Sequence, residues 1–172
     1  MRLGSLLLCL ASCCALAQDH PLSLPRSLNG GAWPTGHVQG IAVDLQRGFV
    51  YYSFTTLLVK TDLAGRLIGA LGGFAGHLGD LAFNPADGLL YGSLEYKAQQ
   101  AFYIAIIDVD KIVAPGLQAQ KSAIFRTVYL PEAAADYSAD MNGDGFFDGD
   151  TAATADHRYG CSGIDGVSFG PR

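Results

Sequence analysis

The chain has 172 residues, of which 49% are hydrophobic and 16% charged, a composition too apolar and too sparsely charged for a disordered segment. Its formal charge is −5, and no Lys/Arg cluster is present to track a phosphate backbone, which argues against a nucleic-acid partner. Glycine is abundant at 22 residues, and Asp/Asn/Gly groups recur between short apolar runs, favouring strands joined by tight turns over long helices.

In chain order, the first element is a targeting segment, residues 1–17. Arg2 supplies the positive charge, Leu3 to Leu16 are apolar or small throughout, and Ala15-Leu16-Ala17 offers the small-x-small pattern of signal-peptide cleavage before Gln18. The run is too short for a membrane span. Leu10-Ala11-Ser12-Cys13 resembles a bacterial lipobox, so a second route is a leader of residues 1–12 followed by lipidation of Cys13. Either route exports the chain to a periplasmic, extracellular or cell-surface site. Cleavage after Ala17 removes Cys9, Cys13 and Cys14 and leaves Cys161, which is either buried and inert or paired with a cysteine beyond this chain. Residues 18–35 read as a linker.

From residue 36 the sequence repeats. Gly36-His37-Val38-Gln39-Gly40-Ile41-Ala42-Val43-Asp44 is echoed forty positions later by Gly76-His77-Leu78-Gly79-Asp80-Leu81-Ala82-Phe83-Asn84. In the first copy, Gln46-Arg47-Gly48 turns into a strand at 49–54, a second strand spans 57–62, and Ala64-Gly65 turns into 67–69. In the second, Pro85-Ala86-Asp87-Gly88 turns into a strand at 89–94, and a further strand spans 102–108. Aromatic and β-branched runs of this length between Gly turns are strands by propensity and spacing. Units of about 40 residues holding three or four antiparallel strands have the spacing of propeller blades.

The order of motifs, a G-I-A-V-D strand, then a V-Y-x-S strand and a strand ending in K-x-D, resembles the NHL-type and gluconolactonase-like propellers over Gly36 to Ile112. The resemblance implies an all-β fold of antiparallel blades at about 36–75 and 76–113, with an insertion at 114–160. A third blade opens at 161–172, where Gly163-Ile164-Asp165-Gly166-Val167-Ser168-Phe169-Gly170-Pro171 matches the start of the other two. Because propellers close with about four to eight blades, the expectation is an N-terminal part of a six- to eight-bladed ring, or closure by self-association. A β-sandwich is the alternative.

In a propeller the loop before the first strand of each unit borders the funnel where ligands bind. His37 and His77 occupy that position, and Gln39, Asp80 and Asp165 fall within one residue of equivalent places, so these five are the candidate binding rim. Local turn closure by each histidine is the competing reading. The lactonase-like propellers hold a catalytic divalent metal with Glu, Asn and Asp side chains from several blades. Glu95 and Asn84 have the right chemistry here but do not match that pattern, so no catalytic role is carried over. Ser93-Leu94-Glu95-Tyr96-Lys97 sets a charge beside an aromatic ring, as on a carbohydrate-binding surface or at an exposed strand end.

The segment 114–160 holds a separate signal. Asp140-Met141-Asn142-Gly143-Asp144-Gly145 matches the first half of a calcium loop, in which alternate oxygen ligands face one cation and Gly permits the turn. The Phe146 carbonyl falls at position seven and Asp148 at position nine, giving Asp140, Asn142, Asp144, Phe146 and Asp148 as ligands. Thr151 replaces the bidentate glutamate at position twelve, which lowers the expected affinity. Pro131 to Tyr137 fits a short entering helix, and the loop resembles one calcium repeat of dockerin modules, which use two. An uncoordinated Asp/Gly turn is the alternative.

Two functional readings fit these features. One is an exported propeller module that binds a glycan, peptide or protein partner through the loops of one face, with calcium bracing the insertion. The other is a metal-dependent hydrolase of the lactonase-like propeller type. No G-x-S-x-G elbow, H-E-x-x-H helix or phosphate-binding loop is present.

Overall fold

The computed structural model describes residues 23–121, 123–137 and 164–170. The leader with Cys13, Cys161 and the calcium ligands Asp140, Asn142, Asp144, Phe146 and Asp148 lie outside them. The described residues are all-β apart from 3-10 turns and one short helix.

The first 40-residue unit forms β1 (Gly40–Asp44), β2 (Phe49–Phe54), β3 (Leu57–Asp62) and β4 (Leu67–Gly72), each antiparallel to the next. The second forms β5 (His77–Asn84), β6 (Leu89–Tyr96) and β7 (Ala101–Ile107), also antiparallel. The β1–β2 and β5–β6 turns are copies of one another. Gly48 N donates to the Asp44 carbonyl and Gly88 N to the Asn84 carbonyl, both at 2.9 Å. Both glycines have positive φ, 75° and 73°, a backbone that a β-carbon would strain.

Residues C-terminal to β7 complete both sheets. Leu117–Gln118 (β8) adds to β4 in parallel, and Phe125–Tyr129 (β9) adds antiparallel to β7. The strand orders are β1-β2-β3-β4-β8 and β5-β6-β7-β9. The second sheet therefore extends to Tyr129, past the boundary at residue 113 expected from the repeat. The reason is that β9 carries Arg126 and Thr127 in an exposed edge strand and lacks the long apolar run that marks β2 or β7. Helix α1 (Pro131–Tyr137) comes next, and its Tyr137 ring lies 5.0 Å from Phe102.

The sheets pack face to face. Tyr51, Leu58 and Leu71 of the first sheet meet Leu78, Leu90, Leu94 and Ile107 of the second in a core where each is fully buried. The other face of the first sheet buries Val50, Tyr52, Phe54 and Val59 beneath Leu28 and Trp33 of the preceding segment. Where β1 crosses β5 the backbones nearly touch: a β-carbon on Gly40 would sit 2.7 Å from Asp80 Cα and 2.8 Å from the Gly79 carbonyl oxygen. Only glycine allows that approach.

Candidate functional site

The contacts that join the first sheet to the second recur, residue for equivalent residue, between the second sheet and residues 164–170. Tyr51 stacks on Phe83 with centroids 5.9 Å apart, and Tyr91, forty positions on from Tyr51, meets Phe169 edge-on at 4.9 Å. The Thr55 carbonyl accepts from Leu78 N at 2.7 Å. Its counterpart Glu95 accepts from Ile164 N at 2.9 Å, through Oε1 of the side chain. Gly40 abuts Asp80, and Asp80 Oδ2 accepts from Val167 N at 3.1 Å.

These bonds fix which residues share an end of the sheets. Thr55 lies just past β2, Leu78 at the start of β5, Glu95 near the end of β6, and Ile164 at the start of the last described segment. His37, Gln39, His77, Asp80, Glu95 and Asp165 therefore gather at one end, while Asp44, Arg47 and Asp110 mark the other. His37 and Gln39 are side by side, their Nε2 atoms 3.3 Å apart, and Gln39 N donates to the Ser53 carbonyl at 2.9 Å. Asp165 is exposed.

A bulge aims Asp80. Leu78 pairs with Leu94 and Leu81 with Gly92, so Gly79 and Asp80 together oppose Ser93. Asp80 N donates to Ser93 Oγ at 3.0 Å, and the Gly79 carbonyl accepts from Ser53 Oγ of the first sheet. Ser53 and Ser93 are both fully buried, each with its hydroxyl committed to this junction.

Glu95 is the most buried acid at this end, 4% exposed, and its Oε2 lies 3.7 Å from both His77 Nδ1 and Lys97 Nζ. The sequence offered it as an exposed strand end or a binding-surface charge; the structure makes it the hub of a small charge cluster. Its carboxylate is held by the Lys97 ammonium, the neighbouring His77 ring and one backbone N–H, which offsets the cost of burying it. His77 Nε2 is buried with no hydrogen-bond partner among the described residues. Among those residues no group of three or more His, Cys, Asp or Glu side chains is placed to hold a metal ion.

The opposite end is braced differently. Arg47 bridges Asp44 of its own turn and Asp110 beyond β7, and its guanidinium lies 5.1 Å from the Phe83 ring. Nearby, Lys60 is buried with Nζ 2.8 Å from the Val109 carbonyl and 4.3 Å from the centre of the Phe49 ring. Burial pulls the Lys60 pKa below the ordinary lysine value, and burial chiefly raises that of Tyr51. These groups are tied between sheets and serve packing.

One feature has no counterpart in the sequence motifs. On the second sheet, Tyr96, Gln99, Ala101, Tyr103, Phe125 and Thr127 line a groove of about 290 Å³. The rings of Tyr96 and Tyr103 meet edge-on at 5.5 Å, and Tyr103 lies 5.3 Å from Tyr129. Tyr96 and Tyr103 are visible in the sequence, but the β7–β9 register that sets Thr127 and Phe125 beside them is not.

A scan of the chain against family models and searches of curated proteins and of solved structures find no match.

Proposed function

We propose that the chain is an exported β-propeller module that binds a glycan, peptide or protein partner through the loops gathered at the His77–Glu95 end, with calcium bracing residues 140–148. The observation that carries this reading is the recurrence of the sheet-to-sheet junction. Tyr51–Phe83, Thr55–Leu78 and the approach of Gly40 to Leu81 N have counterparts in Tyr91–Phe169, Glu95–Ile164 and Asp80–Val167. Sheets that stack by one repeated rule are what radial blades require. The same rule sets the pre-strand loops of successive units side by side, which is how a propeller builds a binding rim. Residues 164–170 stand in this reading as the inner strand of a third blade.

The test is binding by the purified chain to arrayed glycans and peptides, repeated with His37→Ala, His77→Ala and Asp165→Asn. Rim binding predicts a specific ligand whose affinity falls with at least two of the three substitutions while the circular dichroism spectrum is unchanged. Chelator-sensitive hydrolysis of lactones, lost with the same substitutions, would replace this reading with the hydrolase.

A further inference from the structure

The groove on the second sheet carries chemistry of its own. It exists because the β6–β7 hairpin runs on through Glu95–Phe102 and Tyr96–Ala101 pairs, where the β2–β3 hairpin has already turned at Thr55 and Thr56. The extra length lifts Tyr96 and the 3-10 turn Lys97–Gln99 beyond the level of the first sheet. Along β7 and β9, Tyr103 pairs with Tyr129, Ala105 with Thr127 and Ile107 with Phe125, so these residues share one face of the sheet. Phe125 anchors the floor through an edge-on contact with Phe74 at 5.2 Å, and the small side chain of Ala101 lines the space with a single methyl group.

We propose that this groove is a subsite for an uncharged sugar ring. Its volume of about 290 Å³ matches the lower end of small-ligand sites, roughly 300 Å³. Its lining contains no ionisable acid or base other than tyrosine hydroxyls, so an ionic ligand entering it would lose hydration without a compensating charge. A pyranose has an apolar C–H face and a rim of hydroxyls. The tyrosine rings offer apolar surfaces with polar tips, while the Gln99 amide and Thr127 hydroxyl each donate and accept. Both of these side chains belong to exposed residues at the groove margin, Gln99 in the turn and Thr127 on the edge strand. An apolar peptide side chain would use the rings and leave both polar groups without a role.

The site is separate from the His77–Glu95 rim, and its test keeps the two apart. An array of neutral and acidic oligosaccharides is probed with the purified chain, and the strongest neutral binder is then titrated by calorimetry. The expected result is preference for neutral sugars, with Gln99→Ala and Thr127→Val each weakening binding by about threefold to tenfold. Val113→Ala, at an exposed residue outside both the groove and the rim, leaves that affinity unchanged. Absence of neutral-sugar binding, preference for acidic sugars, or affinity that survives both groove substitutions would overturn the assignment. Gln99 sits in an exposed turn, so its substitution reports on the groove even if Thr127→Val disturbs the edge strand.

Discussion

Equivalent faces of the two sheets have different fates. On the first, Tyr51, Ser53, Leu58 and Lys60 point toward the second sheet, and all four are buried. On the second, the counterparts are Tyr91, Ser93, Ile104 and Ile106. Ser93 is buried, but Tyr91, Ile104 and Ile106 are only half-buried, covered in part by residues 164–170 and α1. The pairing Ser53–Leu58 corresponds to Ser93–Ile104, and Tyr51–Lys60 to Tyr91–Ile106. Position in the repeat thus fixes which way a side chain points, whereas burial depends on what is stacked above it. The serine position is closed in both sheets, whereas the tyrosine position and the two cross-strand positions are closed only in the first.

Substitution at paired positions sharpens this contrast. Leu58→Ala is expected to cost about 2–5 kcal/mol in urea unfolding, the range for a fully buried leucine. Ile104→Ala is expected to cost about half of that or less, because its side chain is half-exposed and leaves a smaller cavity. Equal losses would mean that the two faces are equally covered. Gly40→Ala comes next at about 1–3 kcal/mol, since the added methyl meets backbone atoms of β5 that have no rotamer to change.

The two hairpins give a finer comparison. Thr55 serves the junction with a backbone carbonyl, and Glu95 serves the equivalent junction with its carboxylate. Thr55→Ala therefore keeps its hydrogen bond and should change stability by no more than about 0.5 kcal/mol. Glu95→Ala removes the acceptor for Ile164 N and the partner of His77 and Lys97. It should cost about 1–3 kcal/mol and increase amide exchange at Ile164.

Calcium is expected to act on residues 140–148. At roughly tenfold excess over its dissociation constant it should raise unfolding stability by about 1.4 kcal/mol. Asp140→Asn with Asp144→Asn should abolish that increment.

The smallest effect is on acid stability. Asp108 is held below the usual carboxylate range, chiefly by its hydrogen bond from Lys111 at 2.8 Å. A carboxylate with a depressed folded-state pKa contributes stability that is complete above the unfolded value of about 4 and is lost as pH falls through the folded value. Asp108→Asn should flatten the decline of the thermal midpoint below pH 4.

Much of the fold is legible in the sequence because each strand of the repeat carries its own signal. The apolar and aromatic runs at 49–54 and 57–62 coincide with β2 and β3, and the turns at Gly48 and Gly88 mark the β1–β2 and β5–β6 hairpins. The short helix expected at Pro131 to Tyr137 is α1. The features that escape a sequence reading are non-local. Nothing in Phe125-Arg126-Thr127-Val128-Tyr129 alone says that it closes the second sheet, since its partner β7 lies across a 17-residue connection. The groove and the burial of Glu95 depend on that closure and on the bulge at Gly79 and Asp80, features set by packing rather than by local pattern.

The most direct test of the repeated junction is a solution NMR measurement of contacts between aromatic rings in the purified chain. A junction repeated between the sheets gives cross-relaxation between Tyr91 and Phe169 as well as between Tyr51 and Phe83, with both pairs lost only on global unfolding. Contacts between Tyr51 and Phe83 without any between Tyr91 and Phe169 would contradict it.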